Sequence, residues 1–189
     1  MFALWNRFQK LAQIEGKDPE KIVLTRTGKS ASSMFKSNFV YTGLLRPDTK
    51  IENGDVITRT NRGQKETFLV VSMRPADTSI QATLYKCNAF ISIYRVGGKM
   101  YDENDNLVDT GLIHVTDVPA SHVTINLQMR VVDSGILPST TKEFRIPKCD
   151  IKELDRITYD GNNYCVDTID YTKFDGLLAV QVSNDNRSL

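Results

Sequence analysis

The stretch 155-DRITYDGNNYCVDTI-169, near the end of a chain of 189 residues, decides the fold. On its second half, Tyr164 and Val166 alternate with polar neighbours, which is the two-residue period of a strand. Between its two halves lies Asp160-Gly161, a frequent hairpin turn because Gly accepts a positive φ. The stretch therefore predicts two antiparallel strands joined by a tight turn.

A similar phrase, 54-GDVITRTNRGQKETFLVVS-72, occurs about a hundred residues earlier. Each phrase has a polar residue at a strand start, alternating apolar residues, a Gly turn, and then an aromatic residue and a Val on one face. The earlier phrase is expected to have a turn that is two residues longer. The two hairpins are halves of one barrel, or cores of two modules, or share only what any two hairpins share. The matched pairs are Asp55 with Asp155, Ile57 with Ile157, Thr58 with Thr158, Gly63 with Gly161, Phe68 with Tyr164, Val70 with Val166, and Ser72 with Thr168.

Outside these hairpins, the pattern predicts further strands and one helix. Apolar residues alternate over 80–96 and 123–131, and the phase slips at Cys87, which indicates a bulge or bend in one long strand. In contrast, the apolar residues of 2–14 recur at helical spacing and predict a short amphipathic helix. The polar, Ser-rich segment 27–38 is typical of a surface loop or mobile arm.

The predicted fold class is mostly β, with small β-barrel or sandwich modules, long hairpins and one short N-terminal α-helix. Three regions are expected: a helix and extended arm (1–47), a first β module with a hairpin extension (48–147), and a C-terminal β unit (148–189). The last unit either stands alone or forms one barrel with 48–96. Residues 97–147 are either a domain or a long arm.

Composition limits the classes of function. The formal net charge is +1, whereas a protein that coats nucleic acid needs a basic excess to replace phosphate counterions. No apolar run approaches the roughly 20 residues of a membrane span, and the first ten residues lack the apolar core of a secretory signal. Cys87, Cys149 and Cys165 have no CxxC spacing, so we expect reduced, buried thiols in a cytosolic setting.

Two short motifs resemble binding loops but lack a required residue. TGKS (27–30) would belong to a phosphate-binding loop if a Gly stood at the position of Val23. DENDN (102–106) has the spacing of a calcium loop, but Leu107 stands where the sharp-turn Gly belongs. We therefore expect a surface loop at the first motif and a solvated hairpin tip at the second.

A third group, His114, Asp117 and His122, suggests a metal or ligand site. The sequence has only these two histidines, lacks HExxH and does not assure three metal ligands. Nor does spacing alone identify a Ser-His-Asp triad, since triads assemble in three dimensions. We expect no enzyme activity and no catalytic, cofactor-binding or metal-binding residues, and an unrelated ligand-binding β-barrel is the least favoured alternative.

Basic residues gather in the N-terminal quarter, with aromatic residues between them, a combination typical of contact with nucleic acid or an acidic protein. Nearby acidic residues dilute the charge, so a mixed-charge surface is favoured. The residues are Lys17, Lys21, Arg26, Lys29 and Lys36, with Phe35, Phe39 and Tyr41 interleaved.

Residues 148–183 resemble the small β-barrel of tailed-phage head-closure proteins, also called stoppers or head–tail joining proteins. The shared pattern is a strand opened by a polar residue and Ile, a Gly turn, a Tyr-x-Val strand and a later strand of alternating aliphatic residues. The chain departs from the family in its length, its N-terminal helix and its second copy of the phrase. The matching residues are Asp155, Ile157, Gly161, Tyr164, Val166 and 178–182.

This resemblance implies a structural virion protein of a tailed phage, a head–tail connector or neck protein whose homo-oligomeric ring joins the portal to the tail. It implies portal or adaptor proteins and tail-completion proteins as partners, with genomic DNA passing through the lumen without sequence-specific binding, and no membrane partner. The expected location is the neck or tail region of the virion, after synthesis in the host cytoplasm. The alternative is a tail hub or baseplate component built from the same modules.

Overall fold

A computed structural model describes residues 9–26 and 39–187, and strands dominate them. The strands form two closed six-stranded antiparallel barrels and a separate two-stranded hairpin. Within these described ranges, no helix has the length and apolar character needed to cross a membrane. The predicted fold class, mostly β with barrel modules, is confirmed.

The first barrel contains six strands in the order β1-β2-β3-β6-β5-β4. Its interior is filled by its own apolar side chains, among them Ile57, Phe68 and Leu84, none of which reaches solvent. The strands are β1 (Lys10–Ile14), β2 (Lys17–Arg26), β3 (Val40–Leu45), β4 (Val56–Asn61), β5 (Gln64–Ala76) and β6 (Ser79–Lys86).

The second barrel contains six later strands in the order β10-β11-β14-β13-β12-β7. Its interior is likewise filled, with Phe144, Ile157 and Val180 fully buried. Its strands are β7 (Ala89–Val96), β10 (Leu112–Thr124), β11 (Lys142–Pro147), β12 (Arg156–Tyr159), β13 (Asn162–Asp170) and β14 (Leu177–Asn184). Two insertions extend it: a hairpin of β8 (Lys99–Tyr101) and β9 (Leu107–Asp109), and helix α1 (Leu127–Val132).

The two barrels share one topology. When strands are numbered within each barrel, both have the neighbours 1-2, 2-3, 3-6, 6-5, 5-4 and 4-1. The repeated phrase supplies the fourth and fifth strands of each. The chain is thus a tandem repeat of one six-stranded unit. The domain boundaries predicted after residues 47 and 147 do not separate the two units, because each of them falls within a barrel. A single barrel made of 48–96 and 148–189 is also wrong, because each barrel closes with its own six strands.

The two repeated hairpins have the same kind of turn. Arg62-Gly63 and Asp160-Gly161 both place two consecutive residues at positive φ, between 50° and 80°. Each turn has two residues, so the expected longer turn in the first copy is wrong. The additional residues lengthen the strands instead, since β4 has six residues and β12 has four.

Asp55 and Asp155 begin the two hairpins with matching hydrogen bonds. In each copy the Asp carbonyl oxygen accepts from a backbone N–H of the opposite strand at 2.9 Å. Each carboxylate accepts from the backbone N–H three residues earlier at 2.8 Å. The carboxylate of Asp55 also pairs with Lys17 at 2.8 Å, and the carboxylate of Asp155 pairs with Arg95 at 2.9 Å. Chance resemblance between unrelated hairpins does not account for this agreement, so the repeat extends to the side chains.

Residues 10–14 form strand β1, although the sequence pattern assigned them to the end of an amphipathic helix. The remainder of that prediction, 2–8, lies outside the described residues, as does the loop expected at 27–38. β1 pairs with both β2 and β4, which turns Ala12 and Ile14 into the core. Pairing on both sides outweighs helical spacing, because a short helix has little stability of its own.

The segment 123–131 does not form the single strand that its alternation predicted. β10 ends at Thr124, and α1 follows. The side-chain oxygen of Asn126 accepts from the backbone N–H of Met129 at 2.9 Å and caps this helix. The helix start is therefore fixed by capping chemistry, which a search for apolar periodicity does not register.

The phase slip at Cys87 marks the boundary between the barrels instead of a bulge within one strand. β6 ends at Lys86 and β7 begins at Ala89. The N–H of Cys87 donates to a carbonyl of the first barrel at 2.8 Å, and the N–H of Asn88 donates to one of the second at 3.1 Å. Each linker residue is therefore fastened to a different barrel.

Candidate interaction surfaces

The two barrels meet through a buried apolar contact. Val56, Leu69 and Val71 of the first barrel pack in one cluster with Leu177 of the second. Next to it, the ring of Tyr85 meets the ring of Phe174 edge-on, with centroids 6.1 Å apart. The barrels are therefore joined by buried residues of the first barrel that lie outside its own core cluster, together with Leu177 of the second.

A pair of glycines brings the two backbones together beside this contact. A Cβ on Gly54 would overlap the carbonyl oxygen of Gly176, and a Cβ on Gly176 would overlap that of Asn53. Both glycines have positive φ, +92° and +81°. A hydrogen bond from Asn53 Nδ2 to Asp175 Oδ2, 2.7 Å long, spans the same junction. The barrels are thus in contact at a point where no other residue type fits without displacement.

An ionic cluster also lies at this junction, beneath the connection that holds α1. The carboxylate of Glu143 is almost fully buried and accepts from Lys173 at 2.6 Å and from Arg145 at 3.2 Å. Lys173 also pairs with Asp133 at 2.9 Å. Burial opposes the charge of Lys173, but its bonds to the two carboxylates prevail and raise its pKa. The cluster fastens the connection to β11, and we assign it a structural role.

The structure brings together two of the three residues suggested as a ligand site. His114 Nε2 lies 3.2 Å from Asp117 Oδ2 on the outer face of the second barrel. Ser92 Oγ donates to the other oxygen of the same carboxylate at 2.5 Å. The hydrogen bonds from Ser92 and His114 lower the pKa of Asp117. The carboxylate thus lies between serine and histidine, whereas a nucleophilic triad needs the histidine between the other two.

His122, the third residue, lies apart from this pair. Its Nδ1 is 3.2 Å from Asn88 Oδ1, and its ring packs on Tyr159 with centroids 4.9 Å apart. Burial lowers the pKa of His122, and Lys142 lowers it further. Among the described residues, no three His, Cys, Asp or Glu side chains are grouped so that they could hold a metal ion.

The remaining candidates have local roles where they are described. DENDN (102–106) forms the predicted hairpin tip, where the carboxylate of Asp102 accepts from the backbone N–H groups of Asn104 and Asn106 at 2.8 Å each. TGKS (27–30) lies outside the described residues. The three cysteines are free and half-buried, and burial raises the pKa of Cys87 to about 12.

The basic cluster of the N-terminal quarter is only partly described, because 27–38 contain Lys29 and Lys36. Lys17 is neutralised by Glu52 at 2.9 Å and Asp55 at 2.8 Å. The hydrogen bond to Asp55 raises the pKa of Lys17 above its ordinary value. This cation therefore belongs to a mixed-charge surface.

Among the described residues, exposed apolar side chains are concentrated on the second barrel. In the described ranges, Leu11 is the one large exposed hydrophobic residue of the first barrel. Many of those on the second barrel lie on its two insertions. The exposed residues of the second barrel are Phe90, Val96, Tyr101, Leu107, Val108, Ile113, Leu127, Val131, Val132, Leu137, Leu154 and Tyr171.

Helix α1 carries the most exposed of these side chains. Leu127 is 82% exposed and Val131 85%, and their spacing of four places them on one side of the helix. Met129 alone among the helix residues is buried. Arg130 donates to the carbonyl oxygens of Leu137 and Thr140 at 2.6 and 2.5 Å, which ties the helix to the following loop. We call Leu127, Val131 and Val132 the α1 face. Sequence reasoning missed it, although Asn126 and the four-residue spacing were its signals.

No family model, curated protein or solved structure matches the chain. The assignment of function therefore rests on the residue pattern and on the geometry of these surfaces.

Proposed function

We propose that the chain is a structural virion protein of a tailed phage: a head–tail connector, or neck protein, whose homo-oligomeric ring joins the portal to the tail. The observation that carries this proposal is the set of exposed apolar side chains on the insertions of the second barrel. Neighbouring exposed apolar side chains of this kind are typical of protein–protein contacts.

The way in which the barrels are closed supports association through the insertions. In both barrels every strand has two neighbours, so the barrel strands offer no unpaired edge to another chain. Contacts with a neighbour must then be made by side chains and connections. The β8–β9 hairpin and the connection that holds α1 present the largest groups of exposed apolar side chains, which suits a protein that holds other proteins together.

The filled interiors weigh against the alternative of a ligand-binding barrel. Small-molecule sites in barrels need an open lumen, whereas here Phe68 in one barrel and Phe144 in the other are fully buried in packed cores. The pair of His114 and Asp117 on the outer face does not enclose a cavity either. Association with macromolecules is the better supported use of this scaffold.

The resemblance to head-closure proteins adds to this reasoning. Its matching residues lie on or next to three consecutive strands, β12, β13 and β14, and Tyr164, Val166 and Val180 from these strands pack in one core. The proposed partners are portal or adaptor proteins and tail-completion proteins, and the proposed location is the neck of the virion. Genomic DNA would pass through the lumen of the ring without sequence-specific contacts, in keeping with the net charge of +1.

Imaging of phage particles that carry a tag on this protein tests the proposal. Density at the neck is expected, since a connector lies between the portal and the tail. Density at the tail tip would favour a tail hub or baseplate component, and particles without the tag would exclude a virion role. For the purified protein, a strictly monomeric state in the presence of portal and tail proteins would contradict the proposal.

A further inference from the structure

The first barrel carries a basic groove on its outer face. The groove has a volume of about 570 Å³ and lies along β1 and β4, between Lys10 and Leu11 on one side and Lys65 on the other. Arg62, in the adjoining turn, adds a third exposed cation. In the part of the chain that is described, no carboxylate forms an ion pair with these three cations. Leu11, 56% exposed, is the apolar part of the groove.

The hairpin inserted in the second barrel carries the opposite charge. Its tip, 102–106, contains Asp102, Glu103 and Asp105, all of them exposed. The tip is locally ordered, because the N–H of Asp105 donates to the carbonyl oxygen of Asp102 at 3.1 Å, and the Asp102 carboxylate accepts two further N–H groups. A preorganised tip loses little conformational entropy on binding. Apolar side chains lie beside it, Tyr101 at 71% and Leu107 at 54% exposed.

We propose that the acidic tip of the β8–β9 hairpin of one copy binds in the basic groove of the first barrel of a second copy. Three negative charges meet three positive charges, and Leu11 meets the apolar side chains that flank the tip. Charge complementarity of this kind fixes the partner and the orientation. The contact rests on the homo-oligomeric ring of the proposed function, for which it supplies the boundary between subunits.

The contact joins two copies because its two sides are different surfaces. Tip and groove belong to different barrels, and no hydrogen bond or ion pair joins them within the described residues of one chain. A surface that binds a different surface of an identical copy makes a head-to-tail interface, which closes into a ring when the rotation permits. Each copy then contributes one tip and accepts one tip.

Two variants, each altering one side of the contact, test the proposal. Lys10→Glu with Lys65→Glu reverses the groove while the tip remains intact. Glu103→Lys with Asp105→Asn removes the acidic charge of the tip while the groove remains intact, and Asn is chosen because Asp105 has a positive φ of 59°. The matched control is Lys50→Glu with Lys152→Glu, which makes the same charge change as the groove variant on exposed residues elsewhere.

Sedimentation velocity over a concentration series into the high micromolar range is the measurement. We expect wild-type protein and the control to associate, and each variant to associate about tenfold or more weakly. Added salt should weaken wild-type association, since exposed charges are screened. An equimolar mixture of the two variants restores one intact contact per pair, so dimers should form and growth should stop there.

The opposite results would refute the proposed contact between the acidic tip and the basic groove. Wild-type protein that stays monomeric throughout the series, or variants that associate as the wild type does, would refute it. A mixture that forms no dimers while each variant is folded would also refute it. These failures are distinct from failure of the proposed function, because a wild type that joins a portal complex while the groove variant joins it equally well refutes only this contact.

Discussion

The two barrels have the same strand order, but their described residues present different side chains to solvent. The first barrel has a tight β1–β2 turn at Gly16, whereas the corresponding connection of the second barrel is extended into the β8–β9 hairpin. That hairpin carries three of the exposed large hydrophobic side chains, Tyr101, Leu107 and Val108, whereas Leu11 is the one found among the described residues of the first barrel. The barrel is therefore a scaffold, and specialised surfaces arise in its connections.

The interiors of the barrels differ at one end as well. In the first barrel, Glu66 pairs with Arg59 at 3.0 Å and Lys86 at 2.6 Å. In the second, the hairpin position that corresponds to Arg59 is Tyr159, which packs on His122. One backbone arrangement is therefore completed by an ionic cluster in one copy and by rings in the other, and the two ends should respond differently to pH.

The cores of the two barrels should respond alike to truncation, which is the largest effect we expect. Phe68 and Tyr164 occupy matching places, opposite Ile57 and Ile157. Changing either to Ala should lower the free energy of unfolding by about 3–5 kcal/mol, because a buried aromatic side chain leaves a cavity. Urea denaturation measures the loss. A loss in the free energy of unfolding below about 1 kcal/mol at either site would show that the two cores are not equivalent.

The glycines at the junction should be less tolerant than the glycines of the hairpin turns. Gly176→Ala should lower the free energy of unfolding by about 2–4 kcal/mol, since overlap with the first barrel adds to the cost of positive φ. The matched control is Gly161→Ala, at a similar φ of +72° but with open space around the added Cβ, which should cost about 1 kcal/mol. Equal losses in urea denaturation would show that the barrels are not held together at this point.

The two barrel ends should lose stability in different pH ranges. Burial, with Lys142 in addition, lowers the pKa of His122 in the second barrel. For Glu66 in the first barrel, burial raises the pKa, but bonds from Lys86 and Arg59 prevail and lower it. In both cases the folded protein binds fewer protons than the unfolded chain. Stability is therefore lost as the pH falls below the pKa that the group has in the unfolded chain. The pKa in an unfolded chain is about 6.5 for histidine and about 4.3 for glutamate.

We therefore expect a first loss of stability below about pH 6.5 that His122→Gln abolishes, and a second below about pH 4.3 that Glu66→Gln reduces. Urea midpoints measured from pH 8 to pH 3 check both, with each variant as the control for the other. A first loss that persists in the His122→Gln protein would contradict this assignment.

The α1 face should have the smallest effect on stability. Leu127→Asp with Val131→Asp should change the free energy of unfolding by no more than about 0.5 kcal/mol per site, because both side chains are exposed. Thermal unfolding measures this directly. A loss of several kcal/mol would mean that the face is packed within the chain in solution and is not an interaction surface.

Much of the fold was predictable because its hairpins are local. Alternation at Tyr164 and Val166 and the Asp160-Gly161 turn identified one hairpin, and the repeat identified the other. Barrel modules were predicted, but the set of strands that closes each barrel was not, since it depends on pairing between strands far apart in sequence, such as β1 with β4. The same nonlocal pairing overrides the helical spacing of residues 10–14.

The surfaces were less predictable than the fold. Sequence spacing placed His114, Asp117 and His122 in one candidate group, but two of them lie on the outer face and His122 beside the linker residue Asn88. The α1 face was hidden because Leu127, Met129 and Val131 alternate like a strand, while Asn126 caps a helix there. Exposure depends on which neighbours a side chain meets in three dimensions, and a linear pattern does not contain that information.

Sedimentation velocity of the protein mixed with portal and tail proteins tests the central claim most directly. We expect the wild type to enter complexes much larger than one chain, and the folded Leu127→Asp, Val131→Asp variant to enter them far less. Phe90, exposed but outside both insertions, supplies the control variant Phe90→Asp, which should join as the wild type does. A wild type that remains monomeric in every mixture would contradict the account.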